Sequence, residues 1–382
     1  MPNWMTAVRT ATAASVSPFG NRPLNMITLP GTHDAGCYTD SWFHQMGKTQ
    51  TQSVVNQLLG GVRYFDLRPI YYNGEFWIYH GGWLAGYYGG RMDGPAGIIQ
   101  DVANFMAGLG GAHELVILNI SHFQGFDANA HQLLIADIVN RLGPHLVPYQ
   151  QGQANLFNTA YDAIRTNLAG VMASRVAILY DGALDTGREA YITANVNLLP
   201  AGFFTLSPKY APAANQAFLF DQYANVTVLG TMQVDQMTKL NQRNNYAFTT
   251  QGWGGGAGNW TANAPYALPA TGINSTWHLF SWTLTPFPFS PVTTAQNTSN
   301  PALEGWFSGN HWPIGAPARG YDPLQDQRIN VIYVDDYAST VHACAAGAGC
   351  PRNGWAAPVA LSEFINANFI PGGPVWPGWA GY

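Results

Sequence analysis

Short runs of Val, Ile, Leu, Phe and Tyr recur along this chain with little apolar–polar alternation inside them. Runs of that kind predict strands buried on both faces, as in a parallel sheet covered by helices. Eight are expected, at 25–30, 62–68, 115–121, 176–181, 217–222, 245–251, 278–284 and 330–335. Intervals of helical period lie between them. Val54, Val55, Leu58 and Leu59 run into Gly60-Gly61, a helix stop. Ile98, Ile99, Val102, Phe105, Met106 and Leu109 form a second stripe ending at Gly110-Gly111, and Leu133, Leu134, Ile138 and Leu142 a third. Strand–helix alternation sustained over about 330 residues favours a closed βα barrel over an open sheet. The predicted fold is α/β, an irregular TIM-type (β/α)8 barrel with long rim loops. It forms one domain over residues 1–382, because no linker interrupts the pattern.

Three segments depart from the alternation. Between Arg68 and His80 the chain is too short for a crossover helix, and Asn73-Gly74 is a hairpin turn signal. The second strand is therefore expected to run past the rim, turn and return, bringing His80 over the mouth that holds His33 and Arg68. Residues 286–328 are rich in Pro, Asn and Gly and read as a long loop insertion, and 371–382 as an irregular tail.

Composition narrows the setting. Of 382 residues, 47% are hydrophobic and 13% aromatic, enough for a substantial core, while only 10% are charged. Asn, Gln, Ser, Thr and Gly then carry the surface, which suits an extracellular protein. A net charge of −5 argues against nucleic acid as a partner. No apolar stretch is long enough to span a bilayer. The first residues lack the basic and apolar regions of a signal peptide, so the expected product is a mature secreted form, one exported by another route, or one that stays inside. Cys344 and Cys350 bracket an Ala/Gly loop that either closes as a disulfide or holds two thiols. Cys37, four residues after His33, reads as a packing residue, and no Cys/His spacing resembles a zinc site. The glycine-rich stretch from Gly252 lacks the Lys-Ser/Thr that closes a phosphate loop.

Chemistry collects where the strands end. Leu-Pro-Gly-Thr-His33-Asp34-Ala-Gly, Val-Arg-Tyr-Phe-Asp66-Leu-Arg68 and Tyr79-His80-Gly-Gly each place ionisable groups at the close of an apolar run. Two histidines, several acids and an arginine are the parts of a phosphate-ester enzyme. One imidazole takes a proton, one returns it, a guanidinium holds the phosphate and carboxylates orient the rings. Taken singly, each residue also has a plain reading as a capped turn or a buried ion pair.

With their spacing, these segments resemble the bacterial phosphatidylinositol-specific phospholipase C family. Later matches are Phe-Asp221-Gln-Tyr223-Ala, Ser281-Trp-Thr-Leu-Thr and Asn-Val-Ile-Tyr-Val-Asp335-Asp. The resemblance implies an irregular barrel that cleaves phosphatidylinositol to diacylglycerol and inositol 1,2-cyclic phosphate. By it, His33 is the base, Asp335 its orienting carboxylate, His80 the acid supported by Asp34, and Arg68 the phosphate ligand beside Asp66. Asp336 adjoins Asp335, and only one of two successive strand residues can face inward. In calcium-using relatives an acid stands at the position of Arg68, so no metal and no cofactor is expected here. Asp221 and Tyr223 match positions that bind inositol. The family's inositol-site lysine falls near Ser121 or His122 and its arginine near Tyr180 or Asp181, which leaves the head group open; His122 is a candidate replacement donor.

The expected partner is a phospholipid at a membrane surface. Transient contact would run through rim aromatics such as Trp42, Phe43, Trp83, Tyr87, Tyr88, Trp253 and Trp260, with the protein a monomer. A calcium-dependent or differently specific phosphodiesterase is one alternative, and a non-catalytic lipid- or sugar-binding barrel another.

Overall fold

The structure is a computed structural model that describes residues 4–5, 19–40, 46–80, 87–147, 156–166, 170–180, 203–204, 218–221, 223–245, 276–286, 290–308, 329–342 and 354–368. Its strands are β1 (Leu29–Thr32), β2 (Tyr64–Leu67), β3 (Pro69–Tyr72), β4 (Glu75–His80), β5 (Tyr87–Arg91), β6 (Leu115–Ile120), β7 (Arg175–Tyr180), β8 (Phe203–Phe204), β9 (Phe218–Asp221), β10 (Thr276–Trp282) and β11 (Val331–Val334). Eight of them form one sheet in the order β8-β7-β6-β2-β1-β11-β10-β9, and every ladder in it is parallel. Its helices are α1 (Val54–Gly60), α2 (Ile98–Ala107), α3 (Ala128–Leu142), α4 (Tyr161–Arg165), α5 (Leu229–Asn245), α6 (Pro291–Thr294), α7 (Asn300–Ser308) and α8 (Ala357–Asn368). This is an irregular α/β barrel. Among the described residues β8 and β9 share no ladder.

Alternation along the strands sorts two cores. Inward residues such as Tyr64, Ile117, Leu179, Trp277, Leu279 and Tyr333 fill the barrel. Their outward neighbours, including Phe65, Leu118, Ile178, Phe280 and Ile332, meet Leu58 of α1, Val102 of α2 and Leu134 of α3. Each strand is thus apolar on both faces, the reason its sequence shows no alternation. Ser53 caps α1, its side chain accepting from the Asn56 amide, and Gly61 ends it at φ 109°, a conformation that favours glycine.

Several sequence expectations are corrected here. The first strand starts at Leu29, because Leu24–Met26 makes a 3-10 turn. The run expected at 245–251 begins inside α5, which extends to Asn245, and its remainder lies outside the described residues. The eighth strand is instead the two-residue β8, too short to show a pattern. Leu59, Leu109 and Leu133 belong to the apolar stripes yet are exposed, Leu109 because α2 has already ended. Within the loop read at 286–328, residues 291–308 are helical. Ser290 caps that stretch with Pro291 at its first position, and Trp306 packs against Phe280 and Trp282 with Leu303 in the same core. The tail from 371, and Cys344 and Cys350, fall outside the described residues.

The hairpin expectation is met. β3, β4 and β5 form a separate antiparallel sheet, with β3 and β4 joined at Asn73 (φ 51°) and Gly74 (φ 84°). Positive φ at both turn residues gives the twist a two-residue hairpin needs. Paired hydrogen bonds between Tyr71 and Gln124 and between Gln124 and Pro69, 3.0 Å each, tie the hairpin to the loop after β6.

Candidate active site at the C-terminal mouth

All eight barrel strands point their C-terminal ends the same way, so residues just past β1, β2, β6 and β11 meet at one mouth. His33 and Asp34 follow β1. Gln57 of α1 holds their turn, accepting from Thr32 Oγ1 at 2.8 Å and donating to the Ala35 carbonyl at 2.8 Å. Thr49 Oγ1 donates to the Asp34 carbonyl at 2.9 Å, and Gln50 to that of His33 at 3.1 Å. Asp34 itself sits at φ 41°, in the left-handed region. A non-glycine residue there is strained and persists because these contacts over-determine it.

The expected residues converge. His33 Nδ1 lies 2.7 Å from Asp335 Oδ1. Asp34 Oδ2 lies 3.7 Å from His33 Nε2 and 3.4 Å from His80 Nε2, and the two imidazole rings stand edge-to-face with centroids 5.8 Å apart. Arg68 Nε is 3.2 Å from Asp34 Oδ1, while its Nε and Nη2 are each 2.9 Å from Asp66 Oδ2. Asp34, Asp66 and Asp335 are buried, whereas the side chains of His33, Arg68 and His80 keep 17%, 15% and 26% exposure. The acids form a floor and the nitrogen groups face the opening.

Strand alternation decides between the adjacent acids at the end of β11. Asp335 shares the inward face of Tyr333 and reaches His33. Asp336 (φ 41°) turns away to accept from Thr51 and Gln296 and closes the loop.

Charge balance sets the protonation of these groups. Burial pulls the His33 pKa down, yet Asp335, through charge and hydrogen bond, and Asp34 outweigh burial and Arg68, so it ends above its ordinary value. For His80 burial dominates over Asp34 and the pKa falls. Burial would raise Asp66, but Arg68, then His33 and His122, with the Tyr333 hydrogen bond, hold it at about 2. Arg68 ends well above its ordinary value because Asp34 and Asp66 overcome its desolvation. Cys37 is buried, and desolvation followed by Asp34's charge raises its thiol strongly, which fits a packing role.

Two site residues were missed. Tyr333 donates its hydroxyl to Asp66 Oδ2, lies 3.4 Å from Arg68 Nη2 and faces the His33 ring at 5.4 Å. Its signal was available, since it stands two residues before Asp335 and so on the same strand face. Asn119 of β6 is buried on the inward face, and its Oδ1 has no hydrogen-bond partner among the described residues.

The expected head-group residues are more scattered. His122 is exposed beyond β6 at φ 55°, its Nδ1 2.8 Å from Ser121 Oγ. Tyr223 is half exposed. Asp221 ends β9, and its side chain lies outside what is described. Tyr180 faces the outer layer, 3.0 Å from His131 Nδ1, and not the mouth. The rim aromatics Trp42, Phe43, Trp83, Trp253 and Trp260 lie outside the described residues, as do the side chains of Tyr87 and Tyr88. As for metals, His33, Asp34 and His80 each offer one donor atom, all within 4.8 Å of one another.

No model of a protein family matches the chain. Among curated proteins it is similar to PI-PLC X domain-containing protein 2 of Mus musculus, 26% identical over 156 residues, covering 34% of this chain and 43% of that protein. A PI-PLC X-box domain-containing protein of Dictyostelium discoideum is 28% identical over 153 residues, covering 36% of this chain and 19% of the relative. The chain therefore spans less than half the length of either. Among solved structures it resembles the phosphatidylinositol-specific phospholipase C of Listeria monocytogenes, with TM-score 0.52, 12% identity and coverage of 96% of this chain and 99% of that one. The S. aureus phosphatidylinositol-specific phospholipase C gives TM-score 0.52 at 12% identity, covering 96% and 97%. In sequence the chain is thus similar to PI-PLC X-domain proteins over about a third of its length, and in fold it is a barrel of the bacterial phosphatidylinositol-specific phospholipase C type.

Proposed function

We propose that this chain is a phospholipase C-type phosphodiesterase that cleaves phosphatidylinositol to diacylglycerol and inositol 1,2-cyclic phosphate, with His33 as base and His80 as acid and without a metal ion. The observation that carries the reading is the placement of both Nε2 atoms beside one buried carboxylate oxygen, with the Arg68 guanidinium on the other oxygen of the same carboxylate. Hydrogen-bonded to Asp335, His33 keeps its proton on Nδ1 and presents the Nε2 lone pair to the mouth. It takes the proton of the inositol 2-hydroxyl as that oxygen attacks phosphorus. His80 Nε2–H gives its proton to the departing glycerol oxygen as the P–O bond breaks. Arg68 donates to the non-bridging oxygens, and Asp66 with Tyr333 fixes its fork.

The pKa directions fit these roles. Asp335 makes His33 a stronger base, burial makes His80 a stronger acid, and the phosphodiester's own negative charge favours a protonated His80 once bound. Arg68 also argues for metal-free turnover. A permanent cation already faces Asp34 and Asp66 and supplies the positive charge that a divalent ion would otherwise bring to the phosphate. The substrate is reached at a membrane surface, and we place the protein outside the cell.

A second reading concerns the head group alone. Tyr180 points away from the mouth, and the polar groups described beside it are Asn119, Ser121 and His122. These donors suit a polyol other than inositol equally well. Phosphorus NMR of the protein with phosphatidylinositol vesicles, with and without EDTA, tests the proposal. A cyclic phosphodiester resonance that survives chelation is expected. Turnover abolished by EDTA contradicts the metal-free mechanism, and no product from phosphatidylinositol or any glycerophosphodiester contradicts the activity.

A further inference from the structure

We infer that His33 Nε2, Asp34 Oδ2 and His80 Nε2 form a binding site for a zinc-class divalent ion, which occupies the mouth in competition with a phosphodiester and switches the enzyme off. Binding follows from the geometry alone; the inhibition rests on the function proposed above. Linear spacing gave no hint of such a site, because its donors come from β1 and the far end of the β3–β4 hairpin.

The distances are close to those a tetrahedral ion needs. With metal–ligand distances of about 2.0–2.1 Å, neighbouring donors sit about 3.3–3.4 Å apart. Asp34 Oδ2 is 3.4 Å from His80 Nε2 and 3.7 Å from His33 Nε2, and one donor atom from each of the three residues lies within 4.8 Å of the others.

The surroundings point to a ligand. Asp34 is fully buried and, among the described residues, neither of its carboxylate oxygens accepts a hydrogen bond. Arg68 offsets the charge of this carboxylate from the Oδ1 side, and Oδ2 keeps the capacity to take a second cation. Arg68 Nε addresses Oδ1 at 3.2 Å and leaves Oδ2 turned toward the imidazoles. His33 is braced through its other ring nitrogen by Asp335 at 2.7 Å, the carboxylate support that orients metal-binding imidazoles. The partial exposure of His33 and His80 leaves room for water at the fourth position.

Donor chemistry selects the ion. Two imidazole nitrogens and one carboxylate suit Zn2+, whereas Ca2+ and Mg2+ require oxygen-rich cages. An ion so bound holds both Nε2 lone pairs, leaving neither a base nor an acid for proton transfer.

Isothermal titration calorimetry of the full chain with Zn2+, without lipid, tests the site, with Ca2+ and Mg2+ in parallel. One saturable equivalent of Zn2+ is expected, with no heat from the other two. His80→Gln and His33→Ala, with folding checked by circular dichroism, each weaken zinc at least about tenfold, and Asp335→Asn weakens it about 10–100-fold. No zinc binding, or wild-type affinity in the His33→Ala/His80→Gln double variant, overturns the site. A second arm follows hydrolysis of phosphatidylinositol vesicles in zinc buffers. Competitive inhibition matching the calorimetric affinity is expected, and unchanged turnover at saturating zinc overturns the switch. Zinc binding by a protein that hydrolyses nothing would leave the site standing and remove the proposed function instead.

Discussion

The two ends of the barrel handle buried charge in opposite ways. At the N-terminal end, Arg63 and Glu114 precede β2 and β6 and are fully buried, paired at 2.9 Å. Arg63 also donates to the carbonyls of Leu58 and Val62, at 3.0 and 2.7 Å. Nearby, Arg165 of α4 bonds the His113 carbonyl and Asp162, and Phe157 stacks on Trp277 with centroids 4.4 Å apart. The Arg63–Glu114 pair is matched and closed off from solvent. At the C-terminal mouth, Asp34 is equally buried but, among the described residues, its carboxylate holds only ion-pair contacts with three nitrogen groups, two of them imidazoles. Matched charge stabilises a fold, and charge left short of hydrogen bonds is poised for a substrate.

Removing one partner at the closed end is the severest way to break this contrast. Glu114→Ala leaves the Arg63 cation buried without its carboxylate, and urea denaturation should show a loss of about 3–5 kcal/mol. Activity per folded molecule should stay near wild type. A loss below about 1 kcal/mol would mean that water enters this end and the pair is not truly closed off.

A milder change sharpens the other side. Tyr333→Phe deletes one hydrogen bond to the Asp66 carboxylate, and with it the brace on Arg68. A hydrogen bond to a charged group contributes about 1.5–3 kcal/mol to stability, so the unfolding free energy should fall by up to that much, and kcat should fall about tenfold as the brace on Arg68 loosens. Tyr333 acts through Asp66 and Arg68, and a loss of stability with unchanged kcat would show a packing role instead.

How far this could be read from the sequence depended on the range of each interaction. The His33-Asp34 turn, the Asp66-Arg68 strand end and the Asn73-Gly74 hairpin are local, and short-range chemistry marks them. Seven of the eight barrel strands announced themselves as continuous apolar runs, whereas β8 has only Phe203 and Phe204. Tyr333 reaches Asp66 across 267 positions, and only alternation counted back from Asp335 would have found it. The stretch 291–308 looked like loop by composition, yet its Ser290 cap and Pro291 are helix-start signals that outweigh its polar residues. The residues expected to meet the head group were least legible, because Asp221 and Tyr223 lie at the end of β9 while His122 follows β6, and no single segment holds them.

The central claim, that His80 protonates the leaving oxygen while His33 receives the attacking proton, is tested most directly by His80→Ala assayed on two substrates. One is phosphatidylinositol, whose alkoxide leaving group needs a proton; the other is an inositol phosphodiester of an activated phenol, which departs without one. A loss of about 10²–10⁴-fold in kcat/KM on the lipid and a much smaller loss on the aryl ester is the predicted result. Equal losses on both would contradict the assignment of His80 as the acid.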